Sequence, residues 1–417
     1  GRTVPALASC NVFGATDSEW PALPGTRVSM VGSLSGTEED QLNEGMDTIE
    51  GATGVTVAYE YKSDLLQSLR LAEAAGDMPD IGLVPQPGVA KEFRSYDMND
   101  WLGSDSLTAQ YDAALLELSE VNGAQIGVWY RLTVKSLVWY NKTVFASQGY
   151  QIPTTWDEMI TLSNTMVADG YVPWSIGAES GSATGWPITD WLEDIMLRMH
   201  SPATYDAWVA GNLAFDSPEV NAAVDKMEQI MFDADYVLGG RQGIVDTSFS
   251  DAMTKIVPST AGGQPEALMH RQGSFTPAFL PTGEPGTEVG VFYLPPIDSA
   301  LGFPYLGAGD LAVPFADRQE VRTVMEYFAT ADSVRPAVAA GNAFSPHGET
   351  PSEWYPAYYQ DVVTQFEDPT AFRFDASDLM PSVVGSGSFW TEITDFVDPT
   401  TATTQQQFLS AIDATWP

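Results

Sequence analysis

Residues 27–84 constrain the fold most, because their apolar period switches back and forth between two and about 3.6. Arg27-Val28-Ser29-Met30-Val31 alternates as a strand. After the loop 32–36, Thr37 can cap a helix whose Leu42, Met46 and Ile49 share one face. Gly51 and Gly54 stop it. Val55, Val57, Tyr59 and Tyr61 alternate again. Asp64 opens a second helix with Leu65, Leu69 and Ala72 in register, ended by Gly76. Ile81-Gly82-Leu83-Val84 is a short buried strand, broken by Pro85-Gln86-Pro87. Strand, helix, strand, helix, strand in this order predicts a parallel sheet with helices on its faces. Ligands of such sheets sit beyond the carboxyl ends of the strands. That singles out the loops 32–36 and 85–88.

The rest of the chain is less regular. Gly127 to Lys142 is aromatic and strand-like, and Thr155 with Glu158 has the spacing of a capping box. The middle third reads as helical through Trp191 to Met199 and Val220 to Met231. A second β-rich zone runs from Val289 to Leu294. Gly307-Ala308-Gly309-Asp310 precedes a short apolar run, Leu311-Ala312-Val313, and its glycines would let backbone approach a ligand closely. Helices return at 320–330 and 333–340.

Composition narrows the function classes. Lys plus Arg is 18 against 56 Asp plus Glu, a formal charge of −38 in 417 residues. A nucleic-acid binder needs a basic footprint, so that class is excluded. No run of 18 apolar residues is present, so no helical span is expected. One cysteine and three scattered histidines (His200, His270, His347) predict no disulfide and no metal site. Phosphate loops and GxSxG elbows are absent, so no cofactor and no catalytic residue is assigned. The cysteine sits in Leu7-Ala8-Ser9-Cys10, which resembles a bacterial lipobox. A tether rich in Gly, Pro, Ser and Asp follows it. Residues 1–26 are therefore read as a signal remnant and tether, with Cys10 as the lipidation site and a membrane-anchored or periplasmic location.

Tryptophan and tyrosine cluster near loop signals, above all in Thr184-Gly185-Trp186-Pro187-Ile188-Thr189-Asp190-Trp191. Sugars present flat C–H faces and a rim of hydroxyls. Aromatic rings cover the faces, and polar groups satisfy the rim. Trp186, between Gly and Pro, is expected at a ligand, and Trp191 in a core. A secreted glycoside-acting enzyme and a carrier of a non-sugar osmolyte remain as alternatives.

In order and spacing, several stretches resemble the extracellular solute-binding proteins of ATP-binding-cassette (ABC) sugar importers, in particular the alpha-glucoside-binding branch. They are Gly76-Asp77-Met78-Pro79-Asp80-Ile81, Lys135-Ser136-Leu137-Val138-Trp139-Tyr140-Asn141-Lys142, the Trp186 cluster, Met269-His270-Arg271-Gln272-Gly273-Ser274-Phe275, Gly307-Ala308-Gly309-Asp310 and Arg373-Phe374-Asp375-Ala376-Ser377-Asp378. The resemblance implies an α/β, two-lobed, type II periplasmic-binding-protein fold with a ligand cleft between lobes. One lobe would be 27–133 with 305–341, the other 134–304 with 342–417, with crossings near 132–134, 302–305 and 341–344. It implies a monomer that hands a small carbohydrate to ABC permease subunits.

By the same resemblance the cleft gathers Ser33, Ser35, Gln86, Tyr130, Arg131, Trp186, Asp190, His270, Gln272, Gly309, Asp310 and Arg373. Arg373 and Asp375 could instead form a structural ion pair. Glu38 and Glu39 are expected as solvated charges at a helix start.

Overall fold

The computed structural model describes residues 20–281, 284–359 and 372–417. Cys10 and most of its tether lie outside these residues. The opening pattern folds as its periodicity predicts. Strands β1 (Arg27–Gly32), β2 (Thr56–Tyr61) and β3 (Ile81–Val84) are parallel, with β1 between the other two. Helices Thr37–Thr53 and Leu65–Ala75 make the crossovers. Gly36, with φ 57, takes the cap position that the sequence offered to Thr37.

The remaining strands are β4 (Glu120–Val121), β5 (Ala124–Gln125), β6 (Val128–Val134), β7 (Leu137–Asn141), β8 (Met269–Arg271), β9 (Val289–Tyr293), β10 (Tyr305–Pro314) and β11 (Phe372–Phe374). Strand β10 organises the larger sheet. Its start pairs with β11 and its end with β3, giving the order β11-β10-β3-β1-β2, while β6 also pairs with β10. A second sheet of three antiparallel strands has β7 between β8 and β9.

The segment 307–310 is part of strand β10. Glycine is needed there because neighbours occupy the space a side chain would fill. A Cβ on Gly309 would lie 2.6 Å from the carbonyl oxygen of Arg131, on β6. The glycine serves close strand packing at least as much as close approach of a ligand.

Two hydrophobic cores result. The first packs the larger sheet and its helices, with Val28, Ile49, Leu83, Val313 and Val324. The second gathers Val138, Trp156, Trp191, Ile195, Leu268 and Phe389. Strand β7 is a seam between them. Alternation sends Val138 to the second core and Leu137 and Trp139 to the first. For that reason the first core also takes in Met253, Ile256, Val289 and Tyr359, from stretches that the sequence partition gave to the other lobe. The three expected crossings run side by side: Leu132 and Phe344 exchange two backbone hydrogen bonds of 2.8 Å, and the Lys135 N–H donates to the Leu306 carbonyl at 2.8 Å.

A bulge in β6 decides what faces where. Arg131 sits opposite Asp310 and Trp129 opposite Leu311, so Tyr130 is the extra residue. Residues two apart on a regular strand share a face. Here Trp129 and Arg131 oppose consecutive residues of β10, so they point to opposite faces. Trp129 enters the core, its ring 5.3 Å from Phe374. Tyr130 packs edge-on to Phe328 at 5.3 Å.

Replacing Gly309 by Ala is expected to force β10 from β6 and lower the unfolding free energy by about 1–3 kcal/mol, as overpacking does. Urea unfolding measures it, and an unchanged midpoint would show that the strands have room.

Candidate ligand-binding cleft

A cleft of about 760 Å³ lies beyond the carboxyl ends of β1 and β3. Its first wall is Ser33 to Ser35 after β1, Gln86 after β3, and Gly309 and Asp310 of β10. Strand β6 supplies Arg131 and Thr133, and Lys135 follows directly after its end, so that every second residue faces the cleft, as a pleat requires. The facing wall includes Glu179, Trp186, Phe249, Phe275, Asp378 and Trp390.

Two cations belong to this row, each between two carboxylates. Arg131 Nη1 donates to Glu38 at 2.7 Å and Arg131 Nε to Asp310 at 2.6 Å. Burial raises the Glu38 pKa, against the pull of Arg131. Glu38 is thus buried and paired rather than solvated. Lys135 Nζ donates to Asp190 at 2.8 Å and to Asp375 at 2.6 Å, and lies 5.1 Å from the Trp186 ring centre. Burial opposes the charge on Lys135, but the two aspartates outweigh it and raise its pKa.

Below Lys135 the polar network continues inward. The Ser136 hydroxyl donates to Asp194 at 2.7 Å, and Asp194 also pairs with Arg198 and, at 2.7 Å, with Arg271. Glu193 accepts the backbone N–H groups of Ala376 and Ser377 at 2.9 and 3.2 Å. Asp190, Glu193 and Asp375 bring carboxylate oxygens within 4.8 Å of one another. The Lys135 ammonium already supplies a cation to that group. Burial pushes the Asp190 carboxyl up to about 8 and raises Glu193 and Asp378 well above the ordinary carboxylate range. For Asp375 burial acts the same way, but Lys135 and hydrogen bonds from its neighbours hold it low.

Helix Trp186–Met199 delivers both Trp186 and Asp190, one turn apart. Gly185 precedes it at φ 112, and a Cβ there would lie 2.3 Å from the Trp390 carbonyl oxygen. Trp186 is half-buried. Its indole N–H donates to Ser180 Oγ at 3.0 Å, and Phe249 and Phe275 stand 5.1 and 6.0 Å away.

Of the residues that the sequence placed in the cleft, Ser33, Ser35, Gln86, Arg131, Trp186, Gly309 and Asp310 line it. The other five lie elsewhere. Tyr130 is in the core as the bulge residue. Asp190 is fully buried behind Lys135. His270 is buried on β8, with Nδ1 2.8 Å from the Ser175 carbonyl, and the Gln272 side chain accepts the Gly273 N–H at 2.9 Å. Arg373 pairs with Asp206 at 2.8 Å, not with Asp375, which turns inward to Lys135. Sequence reasoning left out Glu38, Thr133 and Lys135, and also Phe249, Phe275 and Trp390. The alternation 131, 133, 135 was a usable signal for the strand residues. The phenylalanines gave none.

The chain matches the family model described as bacterial extracellular solute-binding protein over residues 35–334. It belongs to that family. Over 99% of its length it is 36% identical to the osmoprotective compounds-binding protein GgtB of Synechocystis sp., covering 96% of that protein. It is 34% identical to the alpha-glucosides-binding periplasmic protein AglE of Rhizobium meliloti, across 90% of this chain and 84% of that one. These relatives bear out the motif resemblance. The fold is shared with a chitin oligosaccharide binding protein (TM-score 0.75, 19% identity, 93% and 97% coverage). It is also shared with maltose-bound T. maritima MalE3 (TM-score 0.70, 17% identity, 93% and 98% coverage). The type II binding-protein architecture expected from the motifs is therefore present.

The buried carboxyls set a pH dependence of stability. Asp190 has a raised folded pKa, so its contribution is full below its unfolded value, about 4, and is lost as pH rises through about 8. His270 and His347, pushed down by burial to about 4 and about 3, act oppositely, but only below their unfolded value of about 6.5. Between pH 8.5 and 6.5 the carboxyl dominates. Urea unfolding should show the protein more stable at pH 6.5, by about 2 kcal/mol from Asp190 alone. Asp190→Asn should reduce that slope, with the raised Glu193 and Asp378 acting in the same direction, and a flat wild-type profile would contradict the assignment.

Proposed function

We propose that this protein is an extracytoplasmic carrier that captures an uncharged glycoside, of alpha-glucoside type and di- to oligosaccharide size, and presents it to an ABC importer. The observation that carries the reading is the pairing of charge in the cleft wall. Among the described residues, each cation that lines the cleft has a carboxylate partner: Lys62 with Glu60, Arg131 with Glu38 and Asp310, and Lys135 with Asp190 and Asp375. An anionic ligand finds no free cation there. A polyol finds fixed donors and acceptors beside the Trp186 ring, which suits sugar hydroxyls and a C–H face. The alpha-glucosides-binding relative supports the same class.

The two cores act as lobes that close on the ligand about the three adjacent crossings, and the permease reads the closed form. No bond is made or broken, so incubation with disaccharides should yield no products. GgtB's name supports a second reading, an osmoprotectant. One thermal-shift panel of maltose, trehalose, sucrose and glycine betaine separates the two, since a ligand that binds only the folded state raises its melting temperature. No shift with any sugar would overturn the glycoside reading.

Two further outcomes follow from the reading. Trp186→Ala is expected to weaken sugar binding by about 2 kcal/mol, roughly 30-fold by titration calorimetry, with the fold kept because the ring is half-buried. Loss of folding would assign Trp186 to the core. Cys10 is the proposed lipid anchor. In the precursor, Cys10→Ala should move the protein from the membrane to the soluble fraction, and a variant that stays with membranes would refute the anchor.

A further inference from the structure

The wall around Trp186 has the chemistry of a binding site for an organic ammonium. Trp186, Phe249 and Phe275 form a group of rings, with the latter two 5.1 and 6.0 Å from the first. Two carboxylates, Asp190 and Asp375, are buried beside it. Rings and carboxylates together are what a quaternary ammonium compound selects. In this protein the place is filled from within. The Lys135 ammonium stands over the Trp186 ring at 5.1 Å and donates to both carboxylates at 2.8 and 2.6 Å.

Lys135 is held from three directions. It follows β6, where its N–H donates to the Leu306 carbonyl. Asp190 is one turn after Trp186 on the same helix, so one rigid element carries both the ring and a counter-ion. Asp375 is fixed by the Ser377 hydroxyl and the Asp378 N–H, at 2.7 and 3.0 Å. Lys135 is buried but still reaches the cleft surface.

We infer that Lys135 is a specificity-determining residue: its tethered ammonium occupies the cation site made by Trp186, Asp190 and Asp375, so the cleft accepts uncharged polyols and rejects ammonium compounds. In an acidic chain with a ring-lined cleft, such compounds would otherwise compete for the same wall. Asp190 and Asp375 are positioning residues, acting on the ligand through Lys135.

The inference rests on the cleft being the ligand site, and the experiment reads the two separately. Wild type, Lys135→Arg and Lys135→Gln are titrated with maltose and, at constant ionic strength, with tetramethylammonium chloride. Wild type and Lys135→Arg, which keeps a cation, should show no response to tetramethylammonium. Lys135→Gln should bind it at least tenfold more tightly than wild type does. A folded Lys135→Gln with no such gain would overturn the inference, as would wild type binding tetramethylammonium equally well. If Lys135→Gln fails to give a native near-ultraviolet dichroism spectrum, Lys135→Met, which keeps an unbranched stem and leaves both carboxylates in place, replaces it, with the same gain expected and the same absence of gain overturning the inference. A wild type that binds no sugar, beside a variant that gains tetramethylammonium, would sink the glycoside reading and leave the role of Lys135 standing.

Discussion

A lysine buried between two aspartates, where strand β6 gives way to β7, the strand that both cores share, is the interaction on which this architecture turns. An isolated buried ammonium costs several kcal/mol in lost hydration, and so does each carboxylate. The three groups are tolerable there only together. Their elements must therefore assemble together: the β6–β7 passage, helix Trp186–Met199 and the segment after β11. Ser136, the next residue, repeats the constraint one layer deeper through Asp194, Arg198 and Arg271. The net gain in stability from such pairs is small. What they impose is uniqueness, because any arrangement that separates them leaves a bare charge in the interior.

Strand β6 converts that arrangement into a cleft surface. Beyond its bulge the pleat is regular, so Arg131, Thr133 and Lys135 present a row about 13 Å long at 3.3 Å per residue. Both ends of the row carry a cation flanked by acids. Tyr130 makes this possible. Without the extra residue, Trp129 and Arg131 would share a face, and either an indole would enter the cleft or a guanidinium would enter the core. The bulge is thus the smallest change that lets one strand serve both.

The sequence was legible where each element carries its own signal. Apolar periods set the first three strands and two helices, and turn residues set their ends, so the two loops beyond the strand ends could be placed before any contact was known. Legibility failed where the partner is distant. Glu38 meets Arg131 from 93 residues away and Asp310 meets it from 179, and nothing local distinguishes these acids from solvated ones. Charged side chains are seldom buried, so solvent was the better guess for Glu38. The first half of strand β10 carried no strand signal for a different reason. Glycine weakens an isolated strand, but at Gly309 a neighbouring backbone leaves no room for anything larger. The motifs around His270, Gln272 and Arg373 lie beside cleft residues, Phe275 and Asp375, but these three side chains turn elsewhere, because a motif fixes position along the chain while neighbouring packing fixes direction.

Charge pairing also bears on how binding energy is supplied. With a formal charge of −38, the chain's long-range field repels anions and attracts cations. An uncharged ligand feels neither effect, so its encounter is unassisted and its affinity must come from contacts made after arrival. Those contacts are short-range: a ring face, and hydrogen bonds to groups whose orientation is already fixed. Prior pairing makes the cations weaker partners for any one hydroxyl but costs no reorganisation on binding. The same pairing that helps specify the fold therefore leaves the cations of the cleft already satisfied, which favours a ligand with hydroxyls and no negative charge.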